Sequence, residues 1–189
     1  DGWNSSMWEH TYQYIFPQIY QSERMTRTEM PAFFGITKIL KAEVMHRVSD
    51  YYGPVVYTRF ADAESHYMPD TQAEVYDCFF NELDTAVHVL SDYIGRHEDA
   101  AEFARFDILM DGKYASWIKF ANSLRMRLAM RISVVSPEKA RKEFLKAMDN
   151  GYGVLETADE RVAVSTQSGY TNPLGEINRT WNEAFMSAP

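Results

Sequence analysis

The sequence predicts an all-α fold of antiparallel helix pairs, on three observations. Asp107 to Ser133 has no Gly or Pro after Gly112, is rich in strong helix formers, and places Trp117, Ala121, Leu124, Leu128 and Ile132 on one helix face. Thr71-Gln72-Ala73-Glu74 is a capping-box signature, and it leads into Val75, Phe79, Leu83, Val87, Leu90 and Ile94 at helical spacing. No segment reads as a convincing strand, and short connectors make successive helices antiparallel neighbours.

In chain order, the first helix is expected from about Ser5 to Glu23, with Trp8, Tyr12, Ile15, Phe16 and Ile19 inward. Pro17 should kink or break it, because its ring removes an amide donor. A second helix opens near Pro31, carries Phe33, Ile36, Leu40, Val44, Val48 and Tyr51 as its apolar stripe, and ends before Gly53-Pro54. Val55 to Tyr67 is a loop or a short extended piece. The third helix starts at the capping box and is terminated by Gly95. After a connector from His97 to Gly112, the fourth runs from about Lys113 to Val134, with Lys119, Arg125, Arg127 and Arg131 flanking its apolar stripe. The fifth takes Ser136 as cap and Pro137 in its first turn, and carries Ala140, Phe144, Leu145 and Met148 to a stop near Asn150-Gly151. Residues 152–177, rich in Gly, Thr and Ser, are expected to be irregular, with a helix restarting over Thr180 to Met186. Trp117-x3-Ala121 followed by a second amphipathic helix is loosely like a tetratricopeptide unit, so the helix pairs read as tetratricopeptide-like with loop-rich segments between.

The 189 residues are enough for one helical domain with a real core, taken as 1–189. A net charge of −8 argues against a general nucleic-acid binder, which needs a basic surface to displace counterions. From Phe60 to Asp111 there are 13 acids and 2 Arg, and from Gly112 to Lys146 there are 9 Lys or Arg and 2 Glu. These blocks are expected to lie on neighbouring helices and neutralise one another. Cys78 is the only cysteine, so the chain forms no internal disulfide. No apolar run approaches the roughly 18–20 residues of a membrane span, and no signal peptide is visible. The chain opens on Asp1-Gly2-Trp3 without an initiator Met and ends on Ser187-Ala188-Pro189 in an incipient helix, so a fragment of a longer protein is expected.

The chemistry-bearing motifs are few. His10, His46, His66, His88 and His97 are scattered, with no H-E-x-x-H. His46 and Asp50, four apart, could approach a metal, but a hydrogen bond along the helix flank is the stronger reading. Asp107 and Asp111-Gly112 lack the spacing of a calcium loop and read as a turn into a helix. Cys78, beside Val75 and Phe79, is expected to be a small buried hydrophobe. No nucleophile elbow, phosphate loop or dinucleotide fingerprint occurs, so no catalytic group and no cofactor is assigned. Two places carry an indole beside a carboxamide, namely Trp3 with Asn4, and Trp181 with Asn182. That pairing is what grips a sugar, ring against C–H face and amide against hydroxyls, so Trp3, Asn4 and Trp181 are the candidate ligand-binding residues. The plainer reading is that each Trp anchors a loop to the core.

Three blocks together resemble the SusD/RagB family of Bacteroidetes outer-membrane nutrient-binding lipoproteins. They are ILKAEVMHRVSDYYGPVVY (Ile39 to Tyr57), YMPDTQAEVYDCFFNELDTAVHVL (Tyr67 to Leu90) and DILMDGKYASWIKFANSLRMRLAMRIS (Asp107 to Ser133). The last is the most specific, being similar to the family's K-W-x-K-F-A-N-S-L-R-L-R-L-A-M-R-I. Pro54, Val56, Met110 and Lys113 depart from the family pattern at loops. The resemblance implies a surface-exposed, lipid-anchored helical protein with no enzymatic activity, the anchor lying outside this chain. Such a protein captures an oligosaccharide or polysaccharide, less often a peptide, for a SusC-like TonB-dependent outer-membrane transporter. It also implies structural roles for Trp117, Phe120, Asn122, Arg125 and Arg127. The competing readings are a helical scaffold for a protein partner and, far behind, a glycoside hydrolase fragment.

Overall fold

The computed structural model describes residues 2–61, 68–97, 102–164, 169 and 171–181, of which 2, 3, 174, 178 and 181 by backbone alone. The elements are α1 (Gly2–His10), a π turn (Thr11–Ile15), α2 (Phe16–Thr26), α3 (Pro31–Tyr52), α4 (Gln72–Arg96), α5 (Tyr114–Arg131), α6 (Pro137–Met148), a 3₁₀ turn (Ala158–Glu160) and α7 (Pro173–Trp181). Among the described residues the only extended pairing is a single antiparallel bridge, Val55 with Asp70. The all-α expectation therefore holds.

Pro17 does not break the first helix. Its ring would collide with the carbonyl of Gln13 in a regular α-helix. The backbone instead widens by one residue, and the Phe16 amide donates to the Thr11 carbonyl, five back. The inserted residue shifts the inward face, so Phe16 is buried while Ile15, expected inward, is 41 % exposed.

Helix α3 is the centre of the bundle, packed against α2, α4 and, less extensively, α5. Its buried residues go around most of the helix, among them Ile36, Ile39, Ala42, Met45 and Val48. A one-sided stripe was therefore too narrow a reading: Leu40 and Val44 are only half-buried, and Tyr51 is exposed. Close approach of α3 to α4 depends on Gly35, where a Cβ would sit 2.9 Å from Leu90 Cγ. Between α2, α3 and α4 two buried acids face two buried lysines. Glu23 accepts from Lys38 at 2.5 Å and Lys41 at 3.1 Å, while Glu82 lies 2.6 Å from Lys38 and 2.8 Å from Lys41. Burial favours the neutral form of Glu23, but the Lys38 hydrogen bond and both lysine charges outweigh it and hold the carboxyl below its ordinary value.

The Thr71–Glu74 capping box forms as expected, with the Glu74 amide donating to Thr71 Oγ1 and the Thr71 amide to Glu74 Oε2. Gly95 does not end α4, which continues to Arg96 with His97 as cap. Asp107 organises the turn into α5. Its two carboxylate oxygens accept the amides of Leu109, Met110 and Gly112 and the Trp117 indole N–H, at 2.8–3.0 Å. Gly112 sits at φ +75°, where a Cβ would meet Ala104 Cα at 2.6 Å, so only glycine fits. Helix α6 buries Ala140, Glu143 and Ala147, while Leu145 and Met148, expected inward, are half exposed. The buried Arg125 on α5 fixes that register, since its guanidinium reaches Glu143, Asp84 and the Phe80 carbonyl. Ser136 is the N-cap of α6 but makes no side-chain capping bond. Helix α7 begins inside the stretch expected to be irregular, and the Thr180 to Met186 helix falls largely outside the described residues.

The acidic and basic blocks neutralise only in part. Asp77 and Asp84 on α4 receive Lys139, Arg125 and Lys146 from α5 and α6. Arg127 and Arg131 turn instead to Glu43 and Asp50 on α3.

Candidate functional site

Asn4 lies on α1 against the C-terminal end of α3. The Tyr51 hydroxyl donates to Asn4 Oδ1 at 3.3 Å, and the Tyr52 hydroxyl donates to the Asn4 carbonyl. Tyr52 oxygen also accepts the Trp8 amide at 3.3 Å, and the Trp8 and Tyr52 rings meet edge to face at 5.4 Å. Trp8 packs in turn on Tyr12, whose hydroxyl donates to the Val56 carbonyl at 2.8 Å. Burial, working against that carbonyl bond, pushes the Tyr12 phenol well above its ordinary value, so it is neutral across the physiological range.

This scaffold holds Tyr51 without covering it. The ring meets Tyr52 edge to face at 4.8 Å and is still 61 % exposed. A large aromatic face kept open while its position is fixed is a preorganised contact surface. Tyr51 belongs to the apolar stripe expected from the sequence, but α1 meets it at the hydroxyl, through Asn4, and leaves most of the ring open, while Tyr52 packs on Trp8. Next to it runs an open groove of about 370 Å³, walled by Met7, Thr11 and Ile15 on one side and by Glu43, Val44, Arg47 and Val48 on the other. Beyond α3 lies a larger groove of about 720 Å³, which Asp50, Tyr76, Arg131, Ile132 and Val135 help to line. Tyr76 donates to Asp50 at 2.5 Å, and burial with that acceptor raises its phenol to about 12.

Of the sequence candidates, Asn4 sits at this surface. Trp3 is the neighbouring residue on α1 and Trp181 the last of α7, but the side chains of both lie outside the described residues, as does Asn182. His46 is buried and bonds the Ala42 carbonyl through Nδ1 at 3.1 Å, a contact within its own helix but not the expected one to Asp50, which accepts Tyr76 and Arg131 instead. Among the described residues no cluster of three potential metal ligands occurs. Cys78 is half-buried and burial raises its thiol, which disfavours the reactive thiolate.

The family model described as Susd and RagB outer membrane lipoprotein, SusD-like, matches residues 1–189. A SusD homolog from Bacteroides vulgatus is 43 % identical with a TM-score of 0.90, covering 99 % of this chain and 37 % of its own. A chitin-binding SusD homolog from Flavobacterium johnsoniae is 37 % identical with a TM-score of 0.91, covering 96 % of this chain and 37 % of its own. A SusD-like protein from Bacteroides thetaiotaomicron is 27 % identical with a TM-score of 0.83, covering 94 % of this chain and 36 % of its own. The chain thus spans a little over a third of the length of these solved structures. No curated protein is matched.

Proposed function

We propose, for a chain that belongs to the SusD-like family of outer membrane lipoproteins, that it captures saccharide at the cell surface without transforming it. The observation that carries this reading is the likeness, 37 % identical over 96 % of the chain, to a SusD homolog that binds chitin. The surface at Asn4 and Tyr51 supports it chemically. A pyranose presents a face of C–H bonds to a fixed aromatic ring, and its hydroxyls reach a carboxamide at the ring edge. Asn4 is retained as a ligand residue and Tyr51 joins it. Trp3, next to Asn4 in sequence, and Trp181 complete the proposed set.

The captured saccharide passes to a SusC-like TonB-dependent outer-membrane transporter, and a lipid anchor outside this chain holds the protein at the membrane. A protein-contact role has its own support. Val134 and Val135, in the tight turn between α5 and α6 where polar residues are usual, are 90 % and 83 % exposed beside the larger groove.

The test is titration of this chain with soluble chitin and glucan oligosaccharides, read by tryptophan fluorescence and calorimetry, beside Tyr51→Ala, Trp3→Ala and Trp181→Ala. Saturable binding weakened at least about 10-fold by Tyr51→Ala, roughly the value of one lost stacking contact, is the expected outcome. Binding untouched by any of the substitutions would keep capture and discard the site. No saturable binding to any glycan would sink the capture reading and leave the scaffold.

A further inference from the structure

The polar groups around Tyr51 are not evenly mixed. Along α3, Glu43, Arg47, Asp50 and Tyr51 lie on one outward face, with Arg127 and Arg131 reaching it from α5. Glu43 is shared by two guanidiniums, Arg47 at 2.9 Å and Arg127 at 3.2 Å. Asp50 accepts Arg131 at 2.6 Å on one oxygen and the Tyr76 hydroxyl at 2.5 Å on the other. Three cations therefore stand against two anions, a local reversal in a chain of net charge −8.

Depth decides what a ligand meets. The carboxylate side chains are 17 % and 18 % exposed, whereas those of Arg47, Arg127 and Arg131 are 64 %, 46 % and 53 % exposed. The acids form a floor whose oxygens are already accepting, and the guanidiniums form the outer layer. Arginine donates hydrogen bonds and accepts none. A neutral sugar offers hydroxyls that each donate as well as accept, so it is best held by donors and acceptors together. This layer has donors in surplus. The ligand that answers it carries surplus acceptors, as a carboxylate or sulfate does, and the planar guanidinium fork pairs with either. Arg47 also lines the groove beside Tyr51, and Arg131 the groove on the other side of α3, so the ridge borders both.

Resting on the capture reading above, we infer that the saccharide taken at this surface is anionic. Its sugar ring stacks on Tyr51, and its carboxylate or sulfate groups pair with the exposed edges of Arg47 and Arg127.

The test is calorimetric titration of this chain at low and high salt with oligogalacturonate, sulfated chitotetraose, plain chitotetraose and a hexaglutamate peptide. At low salt at least one of the two acidic saccharides should bind at least about 10-fold more tightly than plain chitotetraose, and the gap should close as salt screens the charges. Which of them gains identifies carboxylate or sulfate as the recognised group. Arg47→Gln with Arg127→Gln should erase the gap by weakening the acidic saccharides far more than chitotetraose, with a circular-dichroism melt checking that the fold persists. Arg47→Lys with Arg127→Lys should keep only part of it, because the charge remains and the fork is lost. Chitotetraose binding as tightly as both acidic saccharides, or a gap that survives the glutamine pair, overturns the inference and leaves capture standing. Hexaglutamate matching the acidic saccharides overturns it as well, by reducing the ridge to unselective charge. Silence from every saccharide overturns the capture reading and this inference together.

Discussion

Replacing Asp107 by Asn should unfold the entry to α5 with almost no change in shape. The side chain is 7 % exposed and accepts four N–H donors, two on each oxygen. Asparagine keeps one oxygen and presents an NH₂ where the other stood. If the amide keeps the oxygen toward Leu109 and Met110, the Gly112 amide and the Trp117 indole N–H both face a donor. Two hydrogen bonds to a charged acceptor are lost at roughly 1.5–3 kcal/mol each, so the expected loss is about 3–6 kcal/mol. The indole cannot recover its bond from water, because Trp117 is 1 % exposed. Urea unfolding followed at 222 nm gives the difference as a shift in midpoint at constant slope. Trp117→Phe in both backgrounds closes a double-mutant cycle, which should show the two sites coupled by at least about 1 kcal/mol. A loss below about 1 kcal/mol for Asp107→Asn would refute the claim that this carboxylate organises the turn.

Other perturbations follow from the same physics. Thr71→Ala removes the cap of α4 and should lower stability by about 1 kcal/mol in the same urea assay, with an unchanged result counting against the capping box. Arg125→Leu leaves Glu143, 7 % exposed, without its cation and should lose about 3–5 kcal/mol, part of which Glu143→Leu in the same chain should restore. The buried Glu23–Lys41 pair predicts a stability plateau in pH. Glu23 has its folded value below 4.5, so its contribution is complete above 4.5 and drains away as pH falls through the folded value. Lys41 is buried, which lowers its value, but Glu82 and Glu23 outweigh that and raise it above 10.5. Its contribution is therefore complete below 10.5 and is lost as pH rises through the folded value. Melting temperature against pH should fall at both ends, and Glu23→Gln should flatten the acid side; an identical acid limb in that variant would rule Glu23 out.

Helix existence was legible in the sequence where periodicity and end signals agreed, as for α4, with its capping box at Thr71, and for α5, with its Trp117 to Ile132 stripe. Inward faces were less legible where a tertiary partner overrode the pattern. Leu145 and Met148 looked like core, yet the buried Arg125 holds Glu143 and so sets α6 with Ala140, Glu143 and Ala147 inward. At α3 the apolar stripe is one-sided on paper, whereas the helix is buried around most of its circumference, and its polar positions Lys38 and His46 are buried too, Lys38 against Glu23 on α2. Asn4 could be singled out because a carboxamide beside an indole is a local signal. Tyr51 could not, because its exposure depends on how α1 meets the end of α3, which no spacing encodes.

The π turn at Thr11–Ile15 sets a phase. One extra residue in a helix of 3.6 residues per turn rotates everything on one side of it by about 100° relative to the other. With Phe16 fixed in the core, a regular helix would carry Trp8 off Tyr52 and Asn4 away from Tyr51, and the aromatic surface would come apart without a single side chain being changed. The handle on this surface is thus Pro17, whose ring excludes the regular helix and keeps the turn wide. Pro17→Ala, with every residue retained, is the gentlest edit that lets the helix regularise and turns the proposed site out of phase while Phe16 stays in the core.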